Sequence, residues 1–307
     1  MRSSAFAFGC VLVCLGPLVG SELSYARPSP LQPLAAIKFD FLKNEVVASV
    51  RINGKGPFTV LLDTGTAPSV IDLSVARKIG LKLETASGPS EGGGTEAHLT
   101  YSTSLPDVVL GKLTTAKVEA LATDLSGLTP KIGRQIDGVL GDSFFSNRVI
   151  QFDYSRKIAK VYSRSPISRP HPVAREITVP FQHEDGEVHF SGLRINGKTV
   201  KANLDTGSNG TFSLTPSGIE RLGLVQQASK GQARSASGFN GKYNMRKGTL
   251  DLVEFGNYRI YKPEVIYWQR NTGHDSRNWD VNVGNLFLKN FVVTVDYQAN
   301  QLTLTRR

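Results

Sequence analysis

The hydrophobic positions of this 307-residue chain fall into short, strand-length runs that are separated by Gly, Asn and Pro. One run, residues 58–71 (FTVLLDTGTAPSVI), is interrupted by an Asp-Thr-Gly triplet that begins at Asp63. A second run, residues 200–214 (VKANLDTGSNGTFSL), is interrupted in the same way at Asp205. β-branched and aromatic residues bounded by Gly and Asn turns are typical of strands. The pattern therefore predicts an all-β fold.

The same landmarks occur twice along the chain. Residues 51–55 (RINGK) return 143 positions later as residues 194–198, and in both copies the Asn-Gly pair predicts a tight hairpin. The two aspartates are 142 positions apart. Because these landmarks recur in the same order and at nearly the same offset, they indicate a duplicated domain. The other landmark pairs are Ile79-Gly80-Leu81 with Leu222-Gly223-Leu224, Gly141 with Gly284, and residues 149–154 with residues 292–297.

The repeat predicts two lobes joined by a linker. We place the first lobe at residues 36–163, the linker at 164–175, where three prolines resist regular structure, and the second lobe at 176–307. Similar units tend to pack about a two-fold axis, as identical subunits do. We therefore expect a monomer whose two halves form an internal pseudo-dimer.

Asp63 and Asp205 are the candidate catalytic residues. A carboxylate at the end of an apolar strand is costly to bury alone, and equivalent loops near a pseudo-two-fold axis face each other. Two adjacent carboxyl groups share one proton, so the pair titrates in two steps. Such a pair can take a proton from water and donate one to a carbonyl oxygen. This chemistry hydrolyses amides without a metal or a cofactor, and we expect neither.

Three pairs of neighbouring residues are expected to support the two aspartates. The glycines let the backbone turn tightly. The hydroxyl residues that follow them can donate hydrogen bonds to the carboxylates, and the threonines that precede them can brace the two loops across the axis. In chain order the supporting residues are Thr64, Gly65 and Thr66 in the first half, and Thr206, Gly207 and Ser208 in the second.

The motifs 63–66 (DTGT) and 205–208 (DTGS), with the segments around Gly141 and Gly284, resemble aspartic proteases of the pepsin/retropepsin type. More specifically, the chain resembles bacterial retroviral-like aspartyl proteases with two fused lobes. The resemblance covers nearly everything after residue 36. It implies a bilobal, pepsin-like all-β fold with a cleft between the lobes, peptide or protein substrates, endopeptidase activity and an acid-shifted pH optimum.

Several positions depart from the family pattern. Asn282 stands where the first copy has Val139 and the family has an aliphatic residue. The hairpin that covers the cleft in the family should lie within residues 84–104, which contain glycines but lack the usual flap-tyrosine pattern. Tyr101 is either a flap residue or a strand tyrosine. The counterpart in the second copy, residues 229–247, is either a second lid or a solvated loop.

Other functions stay open. A non-catalytic peptide-binding protein could keep the cleft without turnover, and a regulatory protease could act on a single envelope protein. His183, Glu184, Asp185 and His189 lie within seven residues, which could suggest a metal site. The Asp185-Gly186 pair is better read as a hairpin turn, with His189 on the next strand.

Residues 1–26 are predicted to be a signal peptide. Arg2 precedes an uncharged run that is short and interrupted by Gly16-Pro17, which is unsuitable for a membrane-spanning helix. Residues 24–26 (SYA) form a small-x-small cleavage site. We therefore expect an exported protein, periplasmic or secreted, with no stable membrane insertion after cleavage. An uncleaved N-terminal anchor is the alternative.

Charge and cysteine content narrow the possible partners. Both cysteines, Cys10 and Cys14, lie in the predicted signal, so the mature chain would have no disulfides. The formal net charge is +10, but the basic residues are scattered along the sequence. Nucleic-acid binding is therefore not expected, and the surplus charge is attributed to a solvated basic surface.

Overall fold

The computed structural model describes residues 31–85, 99–167, 175–238, 241–271, 275 and 277–306. The predicted signal peptide lies outside these residues, as do residues 86–98 of the expected flap and 168–174 of the predicted linker. Residues 32–307 form one compact unit by themselves. No helix in the described part of the chain is both long enough and apolar enough to cross a membrane.

The first half of the chain consists mainly of strands. They are β1 (Ala35–Lys38), β2 (Asp40–Leu42), β3 (Glu45–Ile52), β4 (Lys55–Leu62), β5 (Ser69–Asp72), β6 (Glu84–Thr85), β7 (Tyr101–Leu110), β8 (Leu113–Thr123), β9 (Gly138–Leu140), β10 (Val149–Asp153) and β11 (Ile158–Tyr162). The helices are α1 (Leu73–Ile79), a 3-10 turn (Ser126–Leu128), α2 (Thr129–Ile132) and α3 (Asp142–Phe145).

The second half follows the same plan. Its strands are β12 (Glu176–Glu184), β13 (Glu187–Phe190), β14 (Leu193–Ile195), β15 (Lys198–Thr199), β16 (Ala202–Leu204), β17 (Phe212–Leu214), β18 (Gln232–Gly238), β19 (Gly241–Thr249), β20 (Leu252–Phe255), β21 (Tyr258–Tyr261), β22 (Glu264–Trp268), β23 (Val281–Val283), β24 (Phe291–Asp296) and β25 (Gln301–Arg306). The helices are α4 (Pro216–Leu222), α5 (Val225–Ser229) and α6 (Asn285–Leu288).

One sheet joins the two lobes. Its strands run in the order β1-β11-β10-β24-β25-β12, so the halves meet at the antiparallel pair β10–β24. Gln151 pairs with Thr294, which is its own counterpart at the repeat offset of 143, and the Gln151 side chain donates a 3.0 Å hydrogen bond to the Thr294 hydroxyl. The pseudo-two-fold axis therefore passes between these two residues.

Each lobe adds its own β-layers to this joint sheet. In the first lobe, β4 runs parallel to β9 and β5 runs parallel to β8. In the second lobe, β16 runs parallel to β23 and β17 runs parallel to β22. Buried Val, Ile, Leu and Phe side chains from both halves form one large hydrophobic cluster, so the two lobes share a core.

The predicted hairpin turns are confirmed, and the glycines of two repeat landmarks end helices. Asn53 and Asn196 have φ values of 50° and 49°, and the glycines after them are also left-handed, as a type I′ hairpin requires. Helix α1 ends at Gly80 and helix α4 ends at Gly223, both in the left-handed conformation. These equivalent local structures explain why the repeat is visible in the sequence.

Candidate active site

The two aspartates lie directly after the inner parallel strands of their lobes. Asp63 follows β4, and its backbone N–H donates to Leu140 O at 3.0 Å. Asp205 follows β16, and its N–H donates to Val283 O at 3.1 Å. The neighbouring strands β9 and β23 therefore fix the backbone at both carboxyl groups.

Two threonines join the aspartate loops across the pseudo-two-fold axis. Thr64 Oγ1 donates to Leu204 O at 2.9 Å and accepts from the Thr206 N–H at 3.1 Å. Thr206 Oγ1 donates to Leu62 O at 2.8 Å and accepts from the Thr64 N–H at 3.0 Å. Both side chains are fully buried, so all four hydrogen bonds are shielded from water. The expected bracing between the loops is present.

Each glycine of the two triplets lies against the opposite aspartate. A Cβ atom on Gly65 would come within 2.8 Å of Asp205 Cγ, and a Cβ atom on Gly207 would collide with the Asp63 carboxylate. No side chain fits at either position without displacing a carboxyl group. Each aspartate side chain therefore contacts the other triplet's glycine, so the structure brings the predicted pair together.

The hydrogen bonds to the two carboxyl groups are similar but not identical. Asp63 accepts from the Gly65 N–H at 2.8 Å and from Thr66 Oγ1 at 2.5 Å. Asp205 accepts from the Gly207 N–H at 2.9 Å and from Asn282 Nδ2 at 2.5 Å. The donor that the sequence assigned to Ser208 is therefore Asn282.

A difference in loop length explains the different donor. Strand β5 begins six residues after Asp63, whereas β17 begins seven residues after Asp205. In the longer loop the Ser208 hydroxyl lies at Gly284, where a Cβ atom would be 2.8 Å from Ser208 Oγ. The Asp-Thr-Gly triplet alone does not indicate that one extra loop residue changes the direction of the Ser208 side chain.

Burial raises the pKa of the Asp205 carboxyl well above its usual range, and the adjacent charge of Asp63 adds to the effect. The Asn282 hydrogen bond acts in the opposite direction because it stabilises the ionised form. The balance favours a protonated Asp205 next to Asp63.

Asn282 belongs to a polar pair that the first lobe lacks. Asn203 and Asn282 face each other on β16 and β23, and Asn203 Nδ2 donates to Asn282 Oδ1 at 2.8 Å. The equivalent neighbours on β4 and β9 are Leu61 and Val139. This chain of amides orients the Asn282 amide toward Asp205. The sequence showed that Asn282 departs from the family pattern, but not that its side chain contacts Asp205.

Glu45 is a third carboxyl group close to the pair. It is 8% exposed, and its Oε2 atom has no hydrogen-bond partner among the described residues. Burial, followed by the charges of Asp205 and Asp63, raises the pKa of Glu45 to about 10. The group is therefore a neutral acid at neutral pH. Sequence reasoning missed it, because Glu45 begins a strand of ordinary appearance.

The counterpart of Glu45 at the repeat offset of 142 is Glu187, which has a different environment. Its carboxylate accepts from Arg277 at 2.8 Å, from Trp279 Nε1 at 2.9 Å and contacts His189 Nε2 at 3.0 Å. Burial acts to raise the pKa of Glu187, but the His189 hydrogen bond and the Arg277 charge outweigh it and hold that pKa below the usual value. Only the first lobe has an uncompensated buried acid at this position.

Tyr243 reaches the site from the hairpin β18–β19. Burial raises the pKa of its hydroxyl, a hydrogen bond with the Trp268 side chain acts against this, and the charge of Asp205 is close enough to contribute. Tyr101, the tyrosine considered in the first lobe, is a strand residue of β7 that packs against the hydrophobic core. Residues 232–238 and 241–247 are thus paired antiparallel strands rather than an irregular loop.

The histidines of residues 183–189 make structural contacts within the second lobe and with the first lobe. Asp185 and Gly186 form the turn between β12 and β13, with φ values of 52° and 76°, as predicted. His189 on β13 contacts Glu184 as well as Glu187, and His183 contacts Asp142 of the first lobe at 2.7 Å. Within the described ranges, no group of three or more His, Cys, Asp or Glu side chains is arranged to hold a metal ion.

Comparison with known proteins agrees with the duplicated site. A family model described as aspartyl protease matches residues 48–144 and matches again at residues 192–287, together more than half of the chain. The chain belongs to the aspartyl protease family. Each matched region contains one Asp-Thr-Gly triplet, so the two lobes are two copies of the family's domain in a bilobal, all-β aspartic protease fold. No curated protein matches the chain.

Proposed function

We propose that this aspartyl protease family member is an active endopeptidase in which Asp63 and Asp205 activate one water molecule between them. The observation that carries the proposal is the mutual contact of the two loops, in which each aspartate lies against the other triplet's glycine. The raised pKa of Asp205, to which burial and the nearby charge of Asp63 contribute, supports it. These are the properties that a single-proton carboxyl pair requires.

The two carboxyl groups have different roles in this proposal. Asp205 holds the proton, and Asp63, with donors at Gly65 and Thr66, carries the negative charge. Asp63 takes a proton from the water as its oxygen attacks the peptide carbonyl carbon, and Asp205 donates its proton to the carbonyl oxygen. Collapse of the resulting gem-diol breaks the C–N bond: one diol hydroxyl returns its proton to Asp205 as the carboxyl product forms, and the departing nitrogen receives the proton held by Asp63.

The test is a peptide-library digest with the mature protein across pH 3.5 to 8. We expect cleavage by the wild type and a loss of at least about 1,000-fold in kcat/KM for Asp63→Asn and for Asp205→Asn. Asp107→Asn is the matched control, because Asp107 is exposed and far along β7 from the site. Full activity in either dyad variant would refute the assignment. Tight peptide binding without any cleavage would favour the binding-protein alternative.

Export is proposed as well, on the sequence of residues 1–26 alone. N-terminal sequencing of the protein recovered from the medium or the periplasm tests it. A mature N-terminus shortly after Ala26 is expected, whereas an intact Met1 in the membrane fraction would favour the anchor.

A further inference from the structure

The hairpin β18–β19 of the second lobe forms one wall of a groove next to the candidate active site. Its strands pair from Gln232↔Lys247 to Gly238↔Gly241, and β19 continues the lobe's sheet by pairing with β22. The groove has a volume of about 830 Å³. Tyr243 lines the groove, and the charge of Asp205 acts on its hydroxyl, which places the groove on the Asp205 side of the second lobe.

The register of the hairpin places a cation on the same face as Tyr243. Tyr243 is opposite Ala236, and Met245 is opposite Arg234. Side chains two positions apart on a strand, and directly opposite across it, share one face. Arg234 and Tyr243 are therefore diagonal neighbours on the face from which Tyr243 approaches Asp205.

The groove is cationic. Among the described residues that line it are Arg234, Lys242, Arg246 and Arg270, and none of these lining residues is acidic. Arg246 donates to the backbone oxygens of Ser229 and Gly231, which fixes its guanidinium without neutralising it. Arg234 donates to the neutral Gln232 side chain at 2.9 Å. Only Arg270 has a carboxylate partner here, Glu220 at 2.5 Å.

The positive charge of this hairpin has no equivalent in the corresponding segment of the first lobe. Residues 229–247 contain five Lys and Arg and no acid, whereas the corresponding segment of the first half, residues 84–104, contains three Glu and no Lys or Arg. A surplus of basic residues spread evenly over the chain would not produce this contrast. The positive charge is concentrated at one side of the candidate site.

We propose that the groove beside β18–β19 is a subsite for acidic side chains of the peptide substrate. This inference rests on the proposed endopeptidase function. Asp or Glu residues on one side of the scissile bond would lie beside Arg234, on the Tyr243 face of the hairpin, and the positive charge would offset their repulsion from the carboxyl pair. A nucleic acid is the less suitable occupant, because the groove opens toward a site built for amide hydrolysis.

The test compares three matched peptides that differ only in the residues two to four positions from the cleaved bond, which are Glu, Gln or Lys. At pH 6 and low salt we expect kcat/KM to be about 5- to 30-fold higher for Glu than for Gln, and lowest for Lys. The preference should shrink as salt is raised. Equal values for Glu and Gln would overturn the proposal.

Single substitutions test which basic residue produces the preference for the Glu peptide. Arg234→Gln should lower the Glu/Gln ratio about three-fold or more while leaving cleavage of the Gln peptide nearly unchanged. Lys112→Gln removes one exposed charge from the β7–β8 turn and should leave the ratio unchanged. A ratio that falls equally in both variants would indicate only net charge and would contradict a subsite.

A binding measurement separates this inference from the proposed chemistry. A fluorescent Glu peptide should bind the Asp205→Asn protein more tightly than its Gln counterpart, and Arg234→Gln should remove the difference. If no peptide is cleaved but this preference is found, the catalytic proposal fails and the subsite stands. If cleavage occurs without the preference, the subsite fails. Equally tight competition by a single-stranded oligonucleotide would also overturn the peptide assignment.

Discussion

Asn282 donates a 2.5 Å hydrogen bond to Asp205, whereas Val139, its counterpart at the repeat offset of 143, has no donor group to offer Asp63. On the other carboxyl group, Thr66 supplies the equivalent bond from the loop itself. The two aspartates are therefore fixed by groups from different parts of their lobes. This difference makes the pair chemically unequal, which leads to a first prediction.

Asn282→Val should shift the pH profile of activity. Loss of the donor destabilises the ionised form of Asp205 and raises its pKa further, so the proton is retained to higher pH. Because the proposed mechanism needs that proton, we expect the basic limb of kcat/KM to move up by about one pH unit. The measurement is a pH–rate profile on one peptide substrate.

A double variant controls for packing in this experiment. Asn203→Leu with Asn282→Val reproduces the Leu61 and Val139 pair of the first lobe and leaves no amide unpaired. It should show the same pH shift as the single variant with better stability. An unchanged profile in both proteins would contradict the role given to Asn282.

Glu45→Gln should stabilise the fold at neutral and higher pH. The pKa of Glu45 is about 10 in the folded chain against a usual 4.5, so the folded state holds a proton that the unfolded state releases. Stability is therefore lost as pH rises from about 4.5 toward 10. Because Gln does not ionise, the variant does not lose this stability as pH rises. At pH 8 its free energy of unfolding should exceed the wild-type value by about 1–3 kcal/mol. Urea unfolding at several pH values measures the difference.

The control is Glu187→Gln, for which the opposite sign is expected. The pKa of Glu187 is lowered, so its carboxylate contributes stability above the usual pKa that is lost as pH falls. This variant should be less stable than the wild type at pH 8, and the deficit should shrink toward pH 4. Parallel pH dependence in the two variants would refute the different environments of these glutamates.

Thr206→Val should strongly destabilise the joint between the lobes. The substitution leaves Leu62 O and the Thr64 N–H without their partners in a dry site. Each buried polar group without a hydrogen-bond partner costs about 1–3 kcal/mol, so a loss of about 2–4 kcal/mol in unfolding free energy is expected. Thr206→Ser keeps the hydroxyl and should lose about 1 kcal/mol. Comparable losses from both substitutions would show that the methyl group, not the hydrogen bonds, matters.

Tyr243→Phe should impair substrate handling while the fold remains intact. The variant keeps the ring but loses the hydroxyl that bonds with Trp268, so the hairpin is less firmly positioned beside Asp205. We expect KM to rise and kcat/KM to fall about 5- to 20-fold with little change in thermal stability. Tyr261→Phe, at a residue that is 69% exposed, is the control and should have wild-type kinetics.

Much of this architecture can be predicted from the sequence because each predictive signal is local. The Asn53-Gly54 turn, the glycine at the end of α1 and the Asp63 triplet are each determined by the conformations of a few consecutive residues. Duplication then adds long-range information, since equivalent loops must meet near the axis. The family assignment and the contact between the aspartate loops both follow from these signals.

The remaining features depend on side chains that are distant in sequence. Asn282 reaches Asp205 only because β16 and β23 are neighbours in register. Glu45 is buried although it begins a strand of ordinary appearance, and the hairpin that carries Tyr243 joins the sheet through the pairing of β19 with β22. No pattern of consecutive residues indicates these contacts. The position of Ser208 was predicted incorrectly for the same reason, since it depends on one extra residue in a loop.

The meeting of Gln151 with Thr294 on the axis has a consequence for how this molecule can change. In a homodimer of identical chains, one residue would face its own copy there, and every substitution would appear twice. A single continuous polypeptide removes that constraint, as the unlike pair shows. Each half can acquire substitutions that the other does not share, as Asn282 and Val139 show, so the two aspartates need not keep identical surroundings.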